Sequence, residues 1–154
     1  MPENGPLLLK DAETFATDLF QNKVSKSLRF HTLRHTQEVV AACERMAVFY
    51  HLPEEDRIAL LVAAWFHDTG YVSGHAKDHE MVSGQLATDF LAAHQTSPEF
   101  TGKVIGCINA TRMPQNPSNT LEKILCDADL FHLGTDAFKE KNALLREELK
   151  IFGG

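Results

Sequence analysis

The sequence predicts an all-α protein, a compact bundle of about six or seven helices. Apolar residues recur at intervals of three and four almost throughout the chain, and no stretch shows the strict alternation of a strand. The segment 58–66 is apolar all round, which predicts a central helix packed on several sides. With 154 residues, 44% of them hydrophobic, the chain is long enough for one domain with a real core. We expect a single domain over 1–154, and leave open that it is the N-terminal part of a longer chain.

The first three helices are predicted from their apolar stripes and end signals. The first, about 7–24, places Leu8, Ala12, Phe15, Leu19 and Phe20 near one face. The second, 33–50, presents a stripe of Val39, Ala42, Cys43, Met46, Phe49 and Tyr50, and His35 lies one turn before it on the same buried face. The third begins at Pro53 with three acidic residues at the positive end of the helix dipole, and Gly70 is expected as its C-cap.

The second half of the chain predicts further helices between clear breaks. A polar loop over 71–78 leads to a helix at 79–94, and another follows Pro98 and ends near Arg112. Pro114 and Pro117 interrupt the chain, after which Asn119 with Glu122 three residues on predicts a capping box for a helix through Leu133. Gly134 ends that helix, and an amphipathic helix over 135–152 closes the chain.

Composition excludes several classes of protein. The chain has 15 Lys and Arg against 21 Asp and Glu, a net charge of −6, which argues against general nucleic-acid binding because phosphates require a basic surface. The three cysteines are odd in number and widely spaced, so neither a disulfide framework nor a zinc knuckle is predicted. No signal peptide or apolar run of about 20 residues is present. We therefore expect a cytoplasmic protein without membrane contact.

Four ionisable residues stand in strongly apolar settings. They are His35 in the second helix, the pair His67-Asp68 at the end of the third, and Asp129 in the sixth. Such groups are costly to bury unless they pair or bind a cation. Two imidazoles and two carboxylates suit a divalent ion such as Zn, Mn, Fe, Ni or Mg. The alternative for each residue alone is a packed, hydrogen-bonded side chain without a ligand.

This ordered set resembles the metal signature of the HD-domain superfamily of metal-dependent phosphohydrolases. Residues 30–40, FHTLRHTQEVV, are similar to a segment that also occurs in cyclic-nucleotide phosphodiesterases. Residues 63–71 resemble the central helix and its HD turn, and residues 124–130 resemble the late segment that supplies the last aspartate. With His79-Glu80 and residues 110–114, the pattern resembles bacterial proteins predicted to be HD phosphohydrolases. The likeness spans about 28–150 and implies a phosphodiesterase-like helical fold.

The resemblance implies roles for individual residues. The ligands of a first divalent ion (Mn, Fe, Ni, Co, Zn or Mg) would be His35, His67, Asp68 and Asp129, where Asp129 is preferred to Asp127 because its Ala-Asp-Leu setting resembles the family's ligand. Asp68 would also accept a proton from the attacking water, and His31 would protonate the leaving oxygen. Arg112 and Arg34 would contact phosphate oxygens.

A second ion is less well supported. His79 resembles a histidine that helps bind a second ion in two-metal members, and Asp127 is a further candidate for that ion, for an outer position or for substrate. However, residues 108–111 read INAT, without the other histidine expected there.

The resemblance predicts hydrolysis of a phosphate ester, most simply a nucleotide or cyclic nucleotide, by attack of a metal-activated water. An alternative is a weakly active or inactive regulatory module that binds metal or nucleotide, and a third is a purely structural helical domain. The apolar last helix leaves homo-oligomer formation open.

Overall fold

The computed structural model describes residues 5–22, 33–70, 79–112 and 115–130, and most of these residues lie in six α-helices. In chain order they are α1 (Gly5–Asn22), α2 (Leu33–Phe49), α3 (Glu54–Phe66), α4 (His79–Ala93), α5 (Pro98–Ala110) and α6 (Thr120–Asp129). No strand occurs within these ranges, so the all-α prediction is confirmed. The predicted helix over 135–152 lies outside the described residues.

Helix α3 is the centre of the bundle. Every residue from Ile58 to Phe66 is buried, and α3 packs mainly against α1, α2 and α5, with smaller contacts to α6 and α4. A helix that is apolar on all sides must be surrounded to exclude water from its whole surface. The C-terminal end of α3 therefore lies deep inside the protein, where several other helices can reach it.

Side-chain caps begin two of the helices around α3. The Ser97 hydroxyl accepts the Phe100 N–H at the start of α5, and Asn119 Oδ1 accepts the Glu122 N–H at 3.0 Å at the start of α6. The Glu122 carboxylate in turn accepts the Ser118 N–H at 2.9 Å. The predicted Asn119 and Glu122 box is thus present, with its return bond shifted by one residue.

Two sequence expectations about helix ends were wrong. Phe49 and Tyr50 are 75% and 56% exposed, because the buried stripe of α2 ends at Ala47. Helix α6 ends at Asp129 and not at Leu133, since Leu130 already has a non-helical ψ of 7°. Asp129 is therefore the last residue of its helix and not an interior residue.

Gly70 is also not the C-cap of α3, because His67 takes that position in a right-handed conformation. The Gly70 N–H donates to Ser83 Oγ at 2.7 Å, and Ser83 Oγ donates to the His67 carbonyl at 2.9 Å. A Cβ at Gly70 would overlap the backbone carbonyl of His79. The glycine is required for close approach between this turn and the start of α4.

Cys43, Cys107 and Cys126 are buried, and each carries a free thiol. Burial raises the pKa of the Cys107 thiol to about 12 and that of the Cys126 thiol to about 11. A thiol with so high a pKa stays protonated and unreactive at neutral pH. Among the described helices, none is both long enough and apolar enough to cross a membrane.

Candidate metal centre

The ends of three helices bring the four predicted ligands together. His35 lies in the first turn of α2, His67 and Asp68 follow the last residue of α3, and Asp129 ends α6. The side chains are 4%, 0%, 4% and 18% exposed, in that order. One ligand atom from each lies within 4.8 Å of the others. Residues far apart in sequence thus form one buried cluster, which we call the His/Asp cluster.

Within the His/Asp cluster, nitrogen and oxygen atoms face each other. Asp129 Oδ1 lies 3.2 Å from His35 Nε2 and 3.3 Å from His67 Nε2. Asp68 Oδ2 lies 3.2 Å from His67 Nε2 and 3.7 Å from His35 Nε2. Both imidazoles therefore present the same ring atom, Nε2, to the same pair of carboxylates.

The orientation of His67 suits a metal ligand. Its Nδ1 lies 2.7 Å from the carbonyl oxygen of Ala64, one turn earlier in α3. A carbonyl oxygen can only accept a hydrogen bond, so Nδ1 carries the proton and the neutral ring keeps its lone pair on Nε2. Metal-binding histidines are commonly held in this way by a backbone carbonyl. Two nitrogen and two carboxylate donors fit a divalent ion of the borderline or hard class.

In the absence of an ion, the histidines and aspartates of the cluster stabilise each other's charged forms. Burial opposes the charged form of His67, but Asp68 and Asp129 outweigh it and raise the pKa of His67 well above 6.5. Burial likewise opposes the charged form of Asp129, yet hydrogen bonds from His35 and His67 hold the pKa of Asp129 below its usual range. The carboxylates thus attract positive charge, which a proton or a divalent ion can supply.

Helix dipoles add to this attraction. Asp68 and Asp129 lie at the C-terminal ends of α3 and α6, where unpaired carbonyl groups carry partial negative charge. A cation in the His/Asp cluster would therefore be favoured by the two helix ends as well as by the two carboxylates.

A family comparison agrees with this arrangement. A protein-family model described as "HD domain" matches residues 32–134, more than half of the chain. The chain belongs to the HD-domain family. HD domains are generally phosphohydrolases and typically bind divalent metals, and all four cluster residues lie within the matched segment. Searches of curated proteins and of solved structures found no match.

His79 extends the HD domain's cluster on one side. It is the first residue of α4, and its Nε2 lies 3.2 Å from Asp68 Oδ1. Its Nδ1 lies 2.8 Å from Glu80 Oε2. Burial opposes the charged form, but Asp68 and Glu80 raise the pKa of His79 to about 10. The two oxygens of Asp68 therefore face different partners, Oδ2 toward the cluster and Oδ1 toward His79.

Other residues predicted for the HD domain's site lie farther out. Asp127 is exposed on α6, and Arg112 is exposed directly after α5. The Arg34 side chain is 87% exposed and lies 3.5 Å from Glu38. The structure does not bring these three into the His/Asp cluster, and their roles stay predictions. His31 lies outside the described residues.

Two contacts at the HD domain's site were missed by sequence reasoning. Gln115 Nε2 donates to Asp129 Oδ2 at 3.4 Å from the loop before α6, and no local pattern marks this glutamine. Glu80 was noticed only as part of a motif, and its contact with His79 was not foreseen. A signal did exist in the sequence, because Glu80 directly follows the candidate ligand His79 at a helix start, where its carboxylate can reach the imidazole.

Proposed function

We propose that this HD domain is a metal-dependent phosphohydrolase that acts on a phosphate ester, specifically a nucleotide or cyclic nucleotide. One observation carries the proposal: two Nε2 atoms and two carboxylates converge in a buried cluster. A packed structural core has no need of four ionisable groups at one point, because their burial is costly.

His35, His67, Asp68 and Asp129 would hold the ion. A bound divalent ion lowers the pKa of water and offsets charge on a phosphoryl group. Asp68 is the residue best placed to accept the proton of an attacking water, because its carboxylate borders both the cluster and His79. The predicted role of His31 as the acid for the leaving oxygen belongs to the same proposal, as do phosphate contacts from Arg112 and Arg34.

The test is hydrolysis by the purified protein supplied with Mn, Co, Ni, Mg or Zn, against mono-, di- and cyclic nucleotides. The Asp68→Asn variant keeps the shape of the side chain and removes its charge, so we expect ion binding and turnover to be lost. Asp89→Asn is the matched control, because Asp89 is exposed on α4 and bonds Gln85 outside the cluster. Full activity of Asp68→Asn would contradict the proposal.

The alternative is a regulatory HD module that binds metal or nucleotide without turnover. The same purified proteins and nucleotides distinguish it from an enzyme. Calorimetry would then show ion-dependent nucleotide binding that Asp68→Asn abolishes, while no substrate in the panel is hydrolysed by the wild type.

A further inference from the structure

Glu80 is a buried acidic residue in the first turn of α4. It is 8% exposed, and burial of a carboxylate is costly unless a partner compensates. The helix dipole favours an acid at this position, but it does not explain the burial. Glu99 holds the equivalent first-turn position in α5 and is exposed. An exposed glutamate in the first turn, such as Glu99, already interacts favourably with the helix dipole. The dipole therefore does not require the burial of Glu80, which must have another cause.

The partner of Glu80 is His79. Glu80 Oε2 lies 2.8 Å from His79 Nδ1, while the other ring nitrogen, Nε2, lies 3.2 Å from Asp68 Oδ1. When an acceptor fixes one nitrogen of an imidazole, the direction of the other nitrogen is fixed as well. The contact therefore links Glu80, through one ring, to the carboxylate that also faces His67.

We propose that Glu80 is a positioning residue of this site: its buried carboxylate accepts the Nδ1–H of His79 and keeps His79 Nε2 aimed at Asp68 Oδ1. The catalytic consequence rests on the proposed hydrolase function, whereas the orientation of the ring does not. Glu80 acts on Asp68 through the imidazole of His79, which lies between the two carboxylates.

Three substitutions separate orientation from charge. Glu80→Gln keeps an acceptor oxygen at the same reach, Glu80→Asp keeps the charge but shortens the side chain by one methylene, and Glu80→Ala removes both. If the hydrogen bond positions the ring, the glutamine variant stays closer to wild type than the aspartate variant. If only negative charge matters, the order is reversed. Glu99→Ala is the control for loss of a first-turn acid.

The ring itself is observed by ¹⁵N NMR of the histidine side chains in the metal-free protein, with His79 assigned by comparison with His79→Gln. We expect a protected Nδ1–H signal in wild type, Glu80→Gln and Glu99→Ala. We expect that signal to be lost in Glu80→Asp and Glu80→Ala. Its persistence in those two variants would overturn the proposal, whether or not the protein is an enzyme.

Activity gives the second readout, measured with the Mn²⁺-loaded protein on its best nucleotide. We expect Glu80→Ala and Glu80→Asp to lower kcat about 10- to 100-fold, the usual effect of removing the partner of a site histidine, with little change in KM. Wild-type kcat in Glu80→Asp would overturn the proposal. If the wild type hydrolyses nothing, the hydrolase function fails and the NMR result still decides the role of Glu80. If Glu80→Asp and Glu80→Ala both fail to fold, the Glu80→Gln variant decides. Loss of its Nδ1–H signal would overturn the proposal, and retention of that signal would support it.

Discussion

The two ends of α3 both carry paired ionisable side chains, but one set is exposed to water and the other is buried. Near the N-terminal end, Arg57 pairs with Glu44 and Glu54, and Lys103 pairs with Asp56, through side chains that are between 27% and 52% exposed. At the C-terminal end, the cluster side chains are at most 18% exposed. Water screens the first set, so each pair forms almost independently. In the second set each charge depends on the others, and the cluster is a single unit.

The largest expected effect comes from disturbing the turn that holds the buried end. Gly70→Ala would force a Cβ into the backbone of His79, which cannot move aside as a side chain could. We expect a loss of about 3 kcal/mol or more in the free energy of unfolding, at the upper end of overpacking costs. Chemical denaturation measures it.

The control for this substitution is Gly102→Ala in α5, where a Cβ meets nothing within 4 Å. That change should stabilise the helix by about 0.5–1 kcal/mol. Equal effects of the two substitutions would contradict the close packing of residues 67–70 against α4.

The next largest effect is stabilisation by a divalent ion, which should depend on the His/Asp cluster at the C-terminal end of α3 and not on the exposed ion pairs at its N-terminal end. At a concentration of 100 times the dissociation constant, an ion that binds only the folded protein adds about 2.7 kcal/mol. We expect Tm to rise with Mn²⁺ or Zn²⁺ in wild type and in Arg57→Ala. The rise should disappear in His67→Ala, and an undiminished rise in that variant would place the ion elsewhere.

pH should separate the two ends in the metal-free protein. The pKa of His79 is raised from 6.5 to about 10, so its contribution to stability is complete below about pH 6.5 and is lost as the pH rises to about 10. The pKa of Asp129 is lowered, so its contribution is present above about pH 4 and is lost on further acidification.

Urea unfolding at pH 6.5 and pH 10 measures the His79 contribution, which amounts to about 1.4 kcal/mol for each unit of effective shift. The His79→Gln variant should lose less stability than wild type over this interval, whereas Arg57→Ala should lose as much. Identical pH profiles for wild type and His79→Gln would refute the pairing with Asp68 and Glu80.

The smallest effect is expected at the exposed end. Arg57→Ala should cost less than about 1 kcal/mol, and the difference from wild type should shrink in 1 M salt, because exposed pairs are screened. A large, salt-independent loss would show that these pairs are coupled like the buried cluster.

Sequence reasoning predicted most of the fold because helical periodicity is strong and local. The apolar run of α3 is visible in one short segment, and Asn119 and Glu122 cap α6 through contacts between residues three positions apart. The end of α6 was misplaced because apolar residues continue past Asp129, and only the tertiary environment decides where the helix stops. The role of Gly70 was missed for a related reason, since its neighbour belongs to another helix.

The candidate site was predictable in composition and not in detail. His35, His67, Asp68 and Asp129 stood out because ionisable residues are rare in apolar segments. The contacts of Glu80 and Gln115 depend on how side chains from separate segments meet, which no spacing encodes. The family match shows an HD domain over residues 32–134, and the variants above test the part played by each residue of the predicted set.

The cluster also has a consequence for the kinetics of folding. His35 and Asp129 are 94 residues apart in sequence. They meet beside the C-terminal end of α3, so the helices around α3 must pack before the cluster can form. Closing so long a loop is entropically costly, so an ion gains its full set of ligands only after most of the chain has assembled. A ligand that joins after the transition state slows unfolding and leaves the folding rate unchanged. The ion is therefore expected to lengthen the lifetime of the folded protein without helping it to form.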